Sequence, residues 1–168
     1  MTFRRLAHWL VGLLACSGCA VQPTVHGIPN WGITGGIAHG GDPAPEGWKW
    51  LRDNGWTVTV NLAPECDDTP ALLAGLEAHD YPISTWRQIV GPVKAHIKAA
   101  SAELGPHTYL HCLRGKNRTM TVLGDYLINH GWTRADAQKV MDDHGWRDSF
   151  PALRWFWWFD KAIKQATP

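Results

Sequence analysis

At 168 residues the chain has room for one domain and little else. Its 16 Lys and Arg against 15 Asp and Glu leave a formal net charge of +1, which excludes a broad basic surface for nucleic acid. Any hold on an anion must come from local placement of charge. Of the four cysteines only Cys66 and Cys112 fall outside the N-terminal segment, which makes no disulfide scaffold: the two are bridged or one is catalytic, and neither a metal nor a cofactor is expected from the pattern.

The first residues read as an export leader. Arg4 and Arg5 give a positive start, and Leu6 to Ala15 an apolar run too short to span a bilayer. Leu13-Leu14-Ala15-Cys16-Ser17-Gly18-Cys19 resembles a bacterial lipobox, in which a cysteine after small residues is lipidated and becomes the mature N-terminus. Cys19 fits the small-residue requirement and Cys16 has the better apolar residue three places back, so both stay open, as does plain secretion. Residues 1–19 are therefore read as signal peptide and lipobox, 20–30 as a Pro/Gly-punctuated linker, and 31–168 as the folded domain.

Along the domain, Ile33 to Ala38 is expected as a short edge strand. Pro45 to Asn54 has helical spacing around Trp48 and Leu51, with Gly55 as its C-terminal stop. Trp56 to Leu62 is rich in β-branched residues and reads as a buried strand, followed by a short helix over Pro70 to Ala78. A second strand ends at Tyr81-Pro82-Ile83, and a helix runs from Val90 to Leu104. His107 to His111 is a third strand, Thr119 to Gly131 a helix, and Thr133 to His144 a helix capped near Thr133. The aromatic run within Leu153 to Ile163 reads as a last helix packed on the sheet, with membrane contact as the alternative. The 11 Trp residues are spread along the chain, which suits core and rim packing. Strands alternating with helices imply an α/β fold with a mainly parallel central sheet flanked by helices.

Chemistry concentrates in Tyr109-Leu110-His111-Cys112-Leu113-Arg114-Gly115-Lys116-Asn117-Arg118-Thr119. A strand ends at His111, the chain turns, and a helix follows. Backbone N–H groups in such a loop converge at a helix N-terminus and cradle a tetrahedral anion. Leu113, Arg114, Gly115, Lys116, Asn117 and Arg118 are the residues that would line it. Gly115 permits the turn, and Arg118 offers a planar fork for two phosphate oxygens. The field that favours phosphate also favours the thiolate form of Cys112, which is placed to attack phosphorus. Thr119 can give its hydroxyl to the sulfur.

This run, HC, five residues, R, then T, resembles the signature of the cysteine-dependent protein tyrosine and dual-specificity phosphatase superfamily. Gly40-Gly41-Asp42-Pro43, Trp48 to Leu51 and Val60-Asn61-Leu62 are similar to the opening of compact dual-specificity phosphatases, so that the resemblance covers Ile37 to Gly145. The loop Cys-Leu-Arg-Gly-Lys-Asn-Arg-Thr looks closest to CxxGKxRT members: atypical dual-specificity, phosphoinositide and inositol-phosphate phosphatases. Asn61-Leu62-Ala63-Pro64-Glu65 matches their NLxPE run. The resemblance implies phosphate monoester hydrolysis through a phospho-cysteine, with Cys112, Arg118 and Thr119 catalytic. The substrate is expected to be a phosphorylated protein or an inositol phosphate or phosphoinositide. A monomer, tethered to the envelope membrane through its lipid, is expected. Rhodanese-like and arsenate-reductase readings fit His111 and Arg118-Thr119 poorly. A phosphate-binding module with little turnover stays open as the alternative.

One part of the pattern breaks. Family members place a proton-donating Asp after the second strand. Here Thr85 stands in that place, and Thr does not protonate a leaving group usefully. Glu65, Asp67 and Asp68 follow the strand ending at Leu62 and are the better candidates. Asp80 is expected to lie within its strand, aimed away from the catalytic end. Cys66, in the same loop as Glu65, either packs or pairs reversibly with Cys112.

Overall fold

The computed structural model describes residues 24–83 and 92–146. Seven strands and five helices occupy them: β1 (Thr24–Val25), β2 (Ile28–Pro29), β3 (Gly32–Thr34), β4 (Ile37–Gly40), α1 (Pro45–Asp53), β5 (Val58–Asn61), α2 (Thr69–Ala74), β6 (Glu77–Asp80), α3 (Pro92–Glu103), β7 (Thr108–His111), α4 (Asn117–Asn129) and α5 (Arg134–Asp143).

The main sheet has five strands in the order β3-β4-β7-β5-β6. β4, β7, β5 and β6 run parallel, and β3 joins the edge antiparallel. β7 is central, and all four of its residues are buried. Successive side chains on a strand point to opposite faces, and here they divide the core. Leu110 joins Val60, Leu62 and residues of α3, α4 and α5 on one face. Tyr109 joins Trp48 and Leu51 of α1 and Ala71 of α2 on the other. Both faces are thus covered, the arrangement a mainly parallel sheet requires.

Local chemistry explains the helix ends. Pro45 opens α1 and Glu46 sits in its first turn, complementing the helix dipole. Gly55, at φ +95°, takes the left-handed conformation that ends it. Thr133 caps α5 by accepting the Asp136 amide at 3.2 Å.

Three expectations change. The strand expected over 33–38 is a hairpin, β3 and β4, because Gly35 and Gly36 both adopt positive φ between them. The helix expected over 70–78 stops at Ala74, where Gly75 turns left-handed at φ +90°. The strand then comes earlier than expected, as β6. Its sequence, Glu-Ala-His-Asp, lies on the sheet edge and carries no apolar alternation.

The linker expected over 20–30 also ends sooner. Thr24–Pro29 forms the β1–β2 hairpin, Ile28 is fully buried, and the Asn30 side chain donates to Gly115 O at 2.8 Å and His144 O at 3.0 Å. Those two carbonyls, not solvent, hold this segment. The aromatic helix over 153–163, Cys16, Cys19 and Thr85 lie outside the described residues.

Candidate active site

β7 delivers His111 at the C-terminal edge of the sheet, and α4 starts six residues later at Asn117. Between them Cys112 to Lys116 turns at the N-terminus of α4, where first-turn amides lack intrahelical partners. The loop is braced from behind. Gly41 bridges Arg114, and the Asp42 amide donates to Leu113 O at 3.4 Å. Gly115 sits at φ +67° against Gly40 and Gly41. A β-carbon there would lie 2.6 Å from Gly41 N and 2.7 Å from Gly40 O, so no side chain fits.

Cys112 lies at the floor of this turn, only 2% exposed. The Thr119 hydroxyl, one helical turn into α4, donates to Cys112 Sγ at 3.1 Å. Arg118 is buried beside it. Its Nη1 donates to Glu65 Oε2 at 2.9 Å and to Ile83 O at 3.3 Å, and its Nη2 donates to Glu65 Oε1. These bonds use the end of the guanidinium. Arg118 also hydrogen-bonds the Cys112 side chain, which sets its planar fork directly over the nucleophile.

Glu65, expected among the candidate acids, is tied into an ion pair with Arg118. Hydrogen bonds from Arg118 hold its carboxyl below the usual range. The other expected acids separate as clearly. Asp67 accepts the Thr69 amide at 2.9 Å, which ties it to the start of α2 and lowers its pKa. Asp68 accepts from Asn61 Nδ2 at 3.0 Å, and burial pushes it up to about 6. Asp80 closes β6 at the C-terminal end of the sheet, contrary to the expectation that it points away. It adjoins Asp68, whose pKa it raises. Both line a cleft of about 480 Å³ together with Pro64, Cys66 and Pro82.

Cys66 and Cys112 are both free thiols. Burial, then Asp42, pushes the Cys66 thiol up to about 12, which makes it a poor attacking thiolate in disulfide exchange. Beneath the loop His111 is fully enclosed, edge-on to Trp48 and stacked on Tyr109. Burial lowers it to about 3, so the ring is neutral. At the rim Leu113 and Arg114 are exposed, and the Lys116 side chain lies over Gly145 just beyond α5.

Two functional contacts escaped the sequence reading. Asn30 anchors Gly115 from 85 residues away, and Glu65 meets Arg118 across 53. For Asn30, the chain gave no local signal. For Glu65 the NLxPE resemblance marked the residue without its partner.

No protein-family model matches the sequence, and no curated protein matches it. Solved structures do. The catalytic core of the PP-IP phosphatase SIW14 from S. cerevisiae superposes with a TM-score of 0.65 at 21% identity, over 85% of this chain and 93% of its own. Human DUSP28 gives 0.64 at 18% identity, over 83% and 95%. A DUF442 protein from Shewanella putrefaciens CN-32 gives 0.63 at 17% identity, over 83% and 92%. At these identities the likeness concerns backbone. The chain has the dual-specificity-phosphatase-like fold, with the Cys112 loop at the C-terminal end of its central strand.

Proposed function

We propose that this protein hydrolyses phosphate monoesters through a covalent phospho-cysteine on Cys112. The observation that carries the proposal is the Thr119 hydroxyl on Cys112 Sγ, inside a loop beside a buried Arg118 that Glu65 holds against the same sulfur. The solved structures of similar fold include phosphatases, which supports the same reading.

In the first step the thiolate attacks phosphorus. An S–P bond forms, the P–O bond to the leaving group breaks, and that oxygen takes a proton. Arg118 and the loop amides carry the charge that builds on the equatorial oxygens. Water then attacks phosphorus, the S–P bond breaks, and the departing thiolate is stabilised by the Thr119 hydroxyl. Inorganic phosphate leaves. Because Glu65 is bonded to the end of Arg118, this fork is oriented before substrate arrives.

The substrate classes in the proposal are phosphorylated proteins and inositol phosphates or phosphoinositides. Lys116 and Arg114 stand at the rim, where further phosphates of a multiply charged substrate would reach them. Export, with lipid on Cys19 or Cys16, belongs to the proposal and rests on the leader composition. Among the described residues no helix is long and apolar enough to cross a membrane. Mass spectrometry of the mature N-terminus checks it.

The deciding experiment is turnover of aryl phosphate and inositol hexakisphosphate by the purified chain. Cys112→Ser should abolish hydrolysis of both while phosphate binding persists. Arg118→Lys should cost roughly 10²–10³-fold, since the charge stays but the fork is lost. Near-normal turnover by Cys112→Ser ends this reading. Phosphate binding without turnover by the parent protein selects the binding-module alternative.

A further inference from the structure

Four buried polar atoms behind the Cys112 loop lack partners: Asp42 Oδ1, Asp68 Oδ1, and both His111 ring nitrogens. Folded proteins seldom leave such groups unsatisfied, and each instance needs a water, an ion or a function to explain it. Here they form one line. His111 Nδ1 lies 3.9 Å from Asp42 Oδ1, and His111 Nε2 lies 3.9 Å from Asp68 Oδ1. A third potential ligand, the Cys66 sulfur, joins the Asp42 side, and donor atoms of Asp42, Cys66 and His111 all lie within 4.8 Å of one another.

We infer that Asp42, Cys66 and His111 form a three-ligand site for a thiophilic divalent cation of the zinc type, with Asp68 as the carboxylate that orients His111. The donor set argues for this class: sulfur, imidazole and one carboxylate suit zinc, whereas calcium and magnesium take oxygen ligands. A tetrahedral zinc ion places such donors about 3.3–3.7 Å apart, given bonds of about 2.0–2.3 Å. The Asp42–His111 pair, at 3.9 Å, needs to close by about half an ångström, and no donor pair needs to close by more than about 1.5 Å. Nδ1 would face the ion, and the Nε2–H would face Asp68. This is the arrangement found around metal-bound histidines, in which the second nitrogen donates to a carboxylate. Asp68 is itself held by Asn61 at 3.0 Å. All four orphaned atoms are then satisfied together.

The site has an entrance. His111 is fully buried, but the Asp42 side chain is 32% exposed and Cys66 is partly so, so an ion enters from their side. Binding replaces the Cys66 S–H bond by an S–metal bond and releases that proton to solvent. Nothing is oxidised or reduced. A fourth position remains for water. The ion would lie beside the nucleophile without using it, since Cys112 is not among the donors.

Titration of the reduced full-length protein with Co²⁺ tests this without any phosphatase assay. A single equivalent should bind with a sulfur-to-cobalt band in the near ultraviolet and the intense visible bands of four-coordinate cobalt. Excess Zn²⁺ should displace them. Cys66→Ser should remove the near-ultraviolet band, and Asp42→Asn should weaken binding at least tenfold. Asp68→Asn should cost roughly 10- to 100-fold, the usual loss for an outer-shell carboxylate. Cys112→Ser should leave the spectrum unchanged. Circular dichroism checks that each variant folds, and Asp42→Asn, at a part-exposed site, decides the matter if Cys66→Ser does not. A band that survives both Cys66→Ser and Asp42→Asn, or one lost with Cys112→Ser, overturns the site. So does the absence of any sulfur band, which would assign the orphaned atoms to ordered water. Because none of these outcomes involves turnover, a failed site and a failed phosphatase reading stay distinct.

Discussion

Two loops face each other at the C-terminal end of the sheet, and they are built in opposite ways. The turn from Cys112 to Lys116 is held by backbone: Gly41 bridges Arg114, the Asp42 amide meets Leu113 O, and Asn30 holds Gly115 O. The turn from Pro64 to Thr69 instead projects side chains, with Glu65 committed to Arg118 and Asp68 to Asn61. The first is a fixed cradle whose shape tolerates little change. The second sets the charge around that cradle, and its carboxyls can be altered without dismantling it. Shape on one side and electrostatics on the other predict different kinds of damage.

The sharpest break should come from the backbone side. Gly115→Ala puts a β-carbon against Gly40 and Gly41 at a φ of +67°. Left-handed strain of about 1–2 kcal/mol adds to an overpacking cost of about 1–3 kcal/mol. Thermal denaturation should show a Tm drop on the order of 10 °C, with turnover lost as well. A variant of unchanged Tm and activity would mean that the loop is not braced as described.

Next in size is the electrostatic side. Glu65→Gln keeps the shape but weakens the hold on the Arg118 fork, so activity should fall while the Tm barely moves. A loss of roughly 10- to 100-fold is expected, as for a displaced positioning group. It should appear mainly in kcat, since the guanidinium still attracts phosphate, and Glu65→Asp should recover part of it. An unaltered kcat would show that Arg118 finds its geometry without Glu65, and the contrast between the two loops would weaken.

What was readable in the sequence follows this division. The cradle is local: Cys112, Gly115, Arg118 and Thr119 lie within eight residues, and strand, turn and helix signals flank them directly. Helices with strong ends, α1 and α5, were also legible from Pro45, Gly55 and Thr133. β6 was not, because an edge strand of polar residues has no apolar period to read. The wall opposite was legible as a set of carboxyls but not as roles. Which of Glu65, Asp67 and Asp68 is ionised depends on partners brought in by folding, Arg118 for Glu65 and burial for Asp68. A pattern along the chain carries neither.

The smallest expected effect separates the last open role on that wall. Asp68 is pushed up to about 6 by burial, whereas Glu65 and Asp67 are held below their usual range. On that wall it is the carboxyl whose raised pKa suits it to supply a proton to a leaving oxygen near neutral pH. Nitrophenyl phosphate leaves as a stable anion and needs no such proton, so its rate should hardly change in Asp68→Asn. Alkyl phosphates do need one. Their hydrolysis should decline in the parent protein as pH rises through about 6, where Asp68 loses its proton, and Asp68→Asn should lower it severalfold at pH 6. The stability sign runs the same way. A carboxyl raised from 3.8 to about 6 on folding favours the native state below pH 3.8, and that contribution is lost as pH rises through about 6. The Tm of the parent should therefore fall across that window relative to Asp68→Asn, which cannot titrate. If the Tm difference appears but alkyl hydrolysis is untouched, Asp68 is a buried acid without a part in the chemistry. The proton must then come from Asp80, another acid of the same cleft, or from solvent, and Asp80→Asn separates the two. Alkyl hydrolysis that survives it leaves solvent, and the preference for good leaving groups becomes a property of the enzyme.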